Sequence, residues 1–329
     1  MVDLKERIAV VTGGSSGIGR ATAVLLARHG ARVYAADLRP RAENSGLFAN
    51  LGITELACDV RNESHVRAVI DRAVGDGGSL KILVSNAGIN LEKQLPDVSE
   101  AEWDACIDTN LKGSFFACKY AIPHLRAAGG GSVVFTSSNA GLLPRAHDPV
   151  YGTSKAALIA LANCLALCHA QDKIRFNCVC PGPVSNTAII EEGLAAAEDR
   201  QELEQQFIEA SPLARAYGRM ITPEEVAEAI LYLVSDASSL VTGTAIRIDG
   251  GQITGRTPAS ATSLARLWEC GGLGDYEATV AIRNVRFPGA VLARLKLVPG
   301  DGGYYRSATP RALCVVGGKC SANLLHCLL

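Results

Sequence analysis

The sequence has no surplus of charge: 32 Lys and Arg stand against 33 Asp and Glu, a formal net charge of −1. That balance leaves no electrostatic footprint for nucleic acid or for an anionic membrane surface. The opening residues, Met1-Val2-Asp3-Leu4-Lys5-Glu6-Arg7, are charged and lead straight into a strand-like segment, so the apolar region of a secretory signal is missing. No uninterrupted apolar run reaches membrane-spanning length. A cytoplasmic protein with no membrane and no nucleic-acid partner is expected. Also missing is any C-x-x-C pair, although the chain holds 11 cysteines, so no metal site is expected.

Seven cysteines, Cys58, Cys106, Cys118, Cys164, Cys168, Cys178 and Cys180, fall inside periodic apolar segments. Free cysteine packs as a small hydrophobe, and these read as core. Apolar residues make up 48% of the 329 and charged residues 20%, an ordinary globular balance. Short β-branched runs alternate with helical patterns as far as residue 251. The strands predicted are Arg7–Val11, Arg32–Ala36, Ile53–Ala57, Ile82–Ser85, Ser132–Thr136, Ile174–Val179 and Ala245–Ile248. Helical spacing marks Ile18–Arg28, Ser64–Val74, Ala101–Ala127, Tyr151–Ala170 and Pro223–Val234. Pro123 predicts a kink or break in the third of these. Continuous apolar strands separated by helices imply a doubly wound, seven-stranded parallel sheet with helices on both faces. Its ligands are expected at the carboxyl ends of the strands, near the switch in strand order.

Thr12-Gly13-Gly14-Ser15-Ser16-Gly17-Ile18-Gly19 follows the first strand and runs into a helix. Glycines let the backbone turn tightly and approach a pyrophosphate, and the helix N-terminus offers unpaired N–H groups and a positive dipole end. Asp37 closes the second strand, 18 residues after Gly19. A carboxylate there accepts hydrogen bonds from the adenosine ribose and repels a 2′-phosphate. Arg39 and Arg41 soften that repulsion, so NAD is favoured and NADP is not excluded. Tyr151 and Lys155 are spaced to share one helix face. A tyrosine ordinarily titrates near pH ~10, and a neighbouring ammonium favours its phenolate, which is the tuning that acid/base chemistry near neutrality needs.

The spacing T-G-x-x-x-G-x-G resembles that of the short-chain dehydrogenase/reductase family, and further stations follow in the family's order. They are Asp59-Val60 after the third strand, Asn86-Ala87-Gly88 after the fourth, Asn110 in a helix, and Ser138 after the fifth. Tyr151-Gly152-Thr153-Ser154-Lys155, Pro181-Gly182 and Asp249-Gly250-Gly251 complete the set. The resemblance implies a Rossmann-like fold over residues 1–251. It also implies a catalytic tetrad of Asn110, Ser138, Tyr151 and Lys155. Tyr151 is then the general acid/base, Ser138 holds the substrate oxygen, Lys155 also binds the nicotinamide ribose, and Asn110 positions a proton-relay water. It assigns cofactor contacts to Gly13, Ser15, Ser16, Gly17, Ile18, Gly19, Asp37, Asp59, Val60, Asn86, Ala87, Gly88, Tyr151, Lys155, Pro181, Gly182 and Val184. Hydride transfer between NAD(P) and a secondary alcohol or ketone is the reaction implied. A homo-oligomer, dimer or tetramer, built on the two long helices is implied too, through Ala105, Cys106, Ala117, Ala157, Ala160 and Cys164.

Where the family often has a threonine five residues after the proline-glycine pair, this chain has Asn186, with Thr187 next. That leaves the role of Thr187 open. Substrate choice is expected to reside in the loop Asn139–Pro149, with Leu142, Leu143, Arg145 and His147, and in a helical lid over 186–220. Acidic residues on that lid read best as a solvated face. After residue 251 the chain matches nothing in the resemblance, and its nine Lys/Arg against four Asp/Glu reverse the 23 against 29 before it. Ala278–Val298 suggests a hairpin. Residues 252–329 stand as an atypical extension open to three readings: a partner-binding segment, a disordered one, or sequence that is not native coding. The abrupt change in charge and pattern favours the last two. The rival to an enzyme is a non-catalytic dinucleotide sensor or scaffold that uses the basic tail, but it has no chemical need for Ser138, Tyr151 and Lys155 at this spacing.

Overall fold

Apolar runs that alternate with helices pair side by side in the computed structural model, which describes residues 2–253, 277–283, 290–299 and 305–312. The strands are β1 (Arg7–Thr12), β2 (Arg32–Asp37), β3 (Thr54–Ala57), β4 (Ser79–Ser85), β5 (Gly131–Thr136), β6 (Ile174–Pro181) and β7 (Ala245–Ile248). They form one seven-stranded sheet in the order β3-β2-β1-β4-β5-β6-β7, parallel throughout. The order reverses between β1 and β4, which opens a crevice at their carboxyl ends.

Helices cover both faces because the central strands are apolar on both. On one face α3 (Glu63–Gly75), α5 (Gly113–Ala127) and α6 (Pro149–Cys168) bury Ile70, Leu125 and Leu158 against Tyr34, Phe135 and Phe176. On the other, α1 (Gly17–Arg28) and α10 (Pro223–Val234) bury Leu26, Ile230 and Leu233 against Val11, Val33 and Val84. Thr222 caps α10 with the reciprocal Glu225 bond, and Pro223 opens it. A short α2 (Ser45–Leu51), which periodicity does not mark, anchors Phe48 in the second cluster.

Two expectations are corrected here. The pattern over Ala101–Ala127 breaks at Asp108–Lys112 rather than at Pro123: α4 (Glu100–Ile107) and α5 flank a wide π-type turn. Pro123 sits inside α5 on its exposed side, as does Lys119, whose carbonyl loses a helical partner and can be met by water. Cys164 and Cys168 are exposed, whereas Cys58, Cys106, Cys118, Cys178 and Cys180 are buried. The cause is α6 itself, apolar around its circumference, so that only the stripe through Leu158, Ala162 and Ala166 reaches the sheet. Among the described helices α6 is also long and apolar enough to cross a membrane, yet that stripe is packed in the core.

Residues 186–220 fold as α7 (Ala188–Ala196), α8 (Arg200–Glu209) and α9 (Pro212–Tyr217). Leu194, Ile208 and Met220 give them a small core of their own. The chain divides into two compact units, Met1–Thr257 and Pro258–Leu329. In the second, β8 (Glu277–Arg283), β9 (Ala290–Pro299) and β10 (Tyr305–Ala312) form an antiparallel sheet ordered β10-β9-β8. The hairpin suggested over Ala278–Val298 corresponds to the β8–β9 pair. Cys270, Cys314, Cys320, Cys327 and His326 lie outside the described residues.

Candidate active site

The cradle at the end of β1 is shaped by what cannot fit in it. A Cβ on Gly19 would lie 1.9 Å from the Gly13 carbonyl oxygen, and one on Gly13, which has φ +64°, would lie 2.9 Å from the Ala87 Cα. Ser16 precedes α1 with extended backbone and no side-chain cap bond, so the first-turn N–H groups from Gly17, Ile18 and Gly19 lack helical acceptors. Those donors, the helix dipole and the absent side chains fit a pyrophosphate. Asn86 locks the loop in place: its Nδ2 donates to the Thr12 and Gly13 carbonyls, each at 3.2 Å. The Asn86 and Ala87 amides both donate to Thr12 Oγ1, at 3.0 and 3.2 Å. Asn86-Ala87-Gly88 thus ties β4 to the cradle.

At the carboxyl end of β2, Asp37 Oδ2 accepts from the Ser15 amide at 3.1 Å and Oδ1 from the Arg39 amide at 3.1 Å. Asp59 is engaged by the Arg61 guanidinium, at 2.7 Å for the shortest contact, which holds its carboxyl below the usual range. Val60 is buried, and a Cβ on Gly113 would meet its side chain at 2.9 Å, so a glycine is needed where α5 crosses it. At the far side, Gly182 donates its amide to Ile248, and buried Val184 pairs with Ile221. Asn186 takes φ +56°. This left-handed turn delivers Thr187, whose methyl would lie 3.1 Å from a Cβ on Gly17. Thr187, whose role the motif spacing leaves open, therefore stands against the phosphate loop.

Lys155 and Asn110 meet beside Gly88, where a Cβ would lie 3.0 Å from Lys155 Nζ and 3.1 Å from Asn110 Oδ1, and Tyr151 lies against Lys155 and Ser138. The π-type turn puts Asn110 inside the molecule, fully buried. Its Oδ1 accepts from the Ile89 amide at 2.8 Å, and its Nδ2 donates to the Ile89 carbonyl and to Ser154 Oγ, both at 3.0 Å. Ser154 is thus a fixing residue that the motifs do not single out. Ser138 Oγ accepts from the Ala140 amide at 3.1 Å and donates to Asn139 Oδ1 at 3.2 Å. Asn139 in turn donates to Gln252 Oε1 at 2.7 Å, so the segment after β7 supports the serine. Lys155 Nζ donates to the Thr136 carbonyl at 3.0 Å.

Electrostatics modifies the simple picture of a tyrosine activated by its lysine. Burial pushes the Tyr151 phenol above its ordinary value, with Ser138 and Arg145 pulling it back. Lys155 Nζ lies 5.7 Å from the Tyr151 ring centroid and the Arg145 guanidinium 5.9 Å. Arg145 also pairs with buried Asp148, whose carboxyl burial raises. Lys155 is pulled down to about 8 by burial. Desolvation therefore outweighs the pull of Ser138 and Arg145 on the phenol. Leu142, Leu143 and His147 are exposed in the loop before α6, and Glu191 of α7 pairs with Arg200 of α8.

A stability consequence follows from Lys155. An unfolded lysine titrates near ~10.4, so between about 8 and that value the unfolded chain binds more protons than the folded one. Stability contributed by this residue therefore rises with pH through that window. Denaturant midpoints should show this rise in the wild type and its loss in Lys155→Met; identical pH slopes would contradict it.

A cavity of about 650 Å³ lies at the opposite end of the sheet, lined in part by Arg7, Lys81, Lys173 and Arg175. Arg7 pairs with Asp236, while Lys81 and Arg175 are bonded to carbonyls.

Comparison with known proteins agrees with this geometry. The sequence pattern of the family described as Enoyl-(Acyl carrier protein) reductase matches residues 13–252. A cis-4-hydroxycyclohexanecarboxylate dehydrogenase of Sinomonas cyclohexanicum is 39% identical over 251 residues, 75% of this chain and 96% of the relative. A probable galactose dehydrogenase of Rhizobium meliloti is 36% identical, over 76% of this chain and 96% of its own. The crystal structure of a short-chain type dehydrogenase/reductase from Mycobacterium marinum superposes with a TM-score of 0.69 at 33% identity, covering 77% of this chain and 98% of that one. With the cradle, the doubly wound sheet and these relatives in agreement, the chain belongs to the short-chain dehydrogenase/reductase family and is an oxidoreductase acting on CH–OH groups.

Proposed function

We propose that this chain is an NAD-linked dehydrogenase or ketone reductase in which Tyr151 is the general acid/base. The observation that carries the reading is one buried cluster: Asn110 and Lys155 meet at Gly88, Lys155 lies by the Tyr151 ring, and Ser138 is hydrogen-bonded to Tyr151. In oxidation Tyr151 takes the hydroxyl proton of a secondary alcohol; in reduction it returns one to the ketone oxygen. Ser138, its hydroxyl turning from Asn139 Oδ1, donates a hydrogen bond to that oxygen and stabilises the charge that develops there. The nicotinamide, when bound, exchanges the hydride and in its oxidised form carries a positive charge. Such a charge lowers a nearby phenol, opposing the desolvation that holds Tyr151 up. Lys155 and the glycine loop hold the dinucleotide, with Asp37 accepting from its adenosine ribose. Asn110 orders a water beside Lys155.

Relatives named for a hydroxycyclohexanecarboxylate and for galactose support a small hydroxylated substrate. A sensor or scaffold is disfavoured by the buried Ser138 and Tyr151, hydrogen-bonded side by side, which dinucleotide binding alone does not require. We also propose a homo-oligomer built on α5 and α6. Leu167 is 84% exposed next to exposed Ala160, Cys164 and Cys168, an apolar stripe that a second copy would cover. Cys106 and Ala117 are buried inside the protomer and take no part in it.

The test is a panel of secondary alcohols and ketones, run on the full-length chain with NAD(H) and NADP(H) and followed by nicotinamide absorbance. Turnover of at least one pair, faster with NAD(H), is expected. No absorbance change across a broad panel would sink the catalytic reading, and a monomer in light scattering of the same samples would sink the assembly.

A further inference from the structure

Asp37 is not alone at the adenosine end of the cradle. Glu55 of β3 pairs in register with Ala35, and Ala57 pairs with Asp37, so Glu55 and Asp37 project from the same face of the sheet. Glu55 Oε1 accepts three hydrogen bonds: from Ser15 Oγ at 2.5 Å, from the Arg41 amide at 3.2 Å and from Asn44 Nδ2 at 3.3 Å. Asn44 is fully buried, donates to the Ser15 carbonyl at 2.9 Å and accepts from Arg20 Nε at 2.7 Å. Ser15 is itself fully buried, its amide on Asp37 and its hydroxyl on Glu55. This phosphate-loop residue is therefore clamped between two carboxylates from adjacent strands.

The clamp has a consequence for the ligand. A ribose bound to Asp37 would carry a 2′-phosphate toward Ser15 and the Arg39–Asn44 turn. There the Ser15 hydroxyl is already committed as a donor to Glu55. A second negative charge stands behind it, within the range that physiological salt leaves unscreened. Of the nearby cations, Arg20 is bonded to Asn44 and the Arg41 guanidinium is paired with Glu43 at 3.4 Å, which leaves Arg39 to soften the repulsion.

We propose that Glu55 is a positioning residue that sets cofactor choice: by holding Ser15 and the Arg41–Asn44 turn, it disfavours a 2′-phosphate and favours NAD(H). This rests on the NAD reading above. It predicts that the charge of Glu55, and not Asp37 alone, separates the two dinucleotides.

The experiment is direct titration of the full-length protein with NADH and NADPH, read by nicotinamide fluorescence without turnover. Glu55→Gln keeps the acceptor and removes the charge. Its Kd for NADPH is expected to fall about tenfold while its Kd for NADH stays within about threefold. Glu55→Ala removes charge and acceptor together. It should move the ratio the same way and also weaken NADH, because Ser15 loses its anchor. A thermal melt identifies which variants are folded, and either one suffices. An NADPH-to-NADH ratio unchanged in a folded variant, with the wild type preferring NADH, overturns the role of Glu55 and leaves the NAD reading standing. A wild type that binds NADPH as tightly as NADH overturns both.

Discussion

Tyr151→Phe is expected to lower kcat by about 10²–10⁴-fold, the usual contribution of a positioned acid or base, while NADH binds within about threefold of the wild type. The substitution removes only the phenol oxygen. The ring, 7% exposed and packed with Cys106, Ala140 and Val150, keeps its contacts, so the fold and the cradle are undisturbed. Because proton transfer is lost and binding is not, the deficit should appear in kcat rather than in the Kd of the dinucleotide. Single-turnover kinetics together with fluorescence titration separate the two. Turnover near wild-type rates would show that the proton moves through another group.

Gly19→Ala is expected to weaken NADH binding by about 100-fold or more, or to prevent folding. An added Cβ would sit 1.9 Å from the Gly13 carbonyl oxygen, which is backbone and cannot rotate aside as a side chain would. Either the loop moves, misaligning the donors that face the pyrophosphate, or α1 shifts against the sheet. The control is Gly193→Ala in α7, where an added Cβ meets nothing within 4 Å. There the helix should be unaffected, or gain up to about 1 kcal/mol from the lower backbone freedom of alanine. Isothermal titration with NADH and a thermal melt of both variants decide the matter. Normal binding by Gly19→Ala would mean that the loop does not approach its ligand as the cradle implies.

Much of this site is legible in the order of residues. The seven strands, the glycine loop and the Tyr151–Lys155 pair depend on short-range regularities, which the sequence states directly. A strand alternates or stays apolar, and a helix brings residues four apart to one face. Features that depend on distant contacts are not legible in this way. The break at Asp108–Lys112 carries Asn110 to partners at Ile89 and Ser154, far off in sequence, whereas local pattern points instead to Pro123. Nothing in the apolar circumference of α6 says which stripe meets the sheet, so Cys164 and Cys168 read as core although they are exposed. The left-handed Asn186, which places Thr187, shows in the sequence only as an irregular spacing.

The chain's own order of residues thus determined the reaction type and the doubly wound fold, because helix and strand periods and motif spacings are properties of neighbours in sequence. Tertiary structure alone decided the rest. Tyr151 and Lys155 are shifted by desolvation, which exists only once other segments have closed over them. Ser15 and Glu55 lie 40 residues apart, and their hydrogen bond exists only because β1, β2 and β3 lie side by side in the sheet.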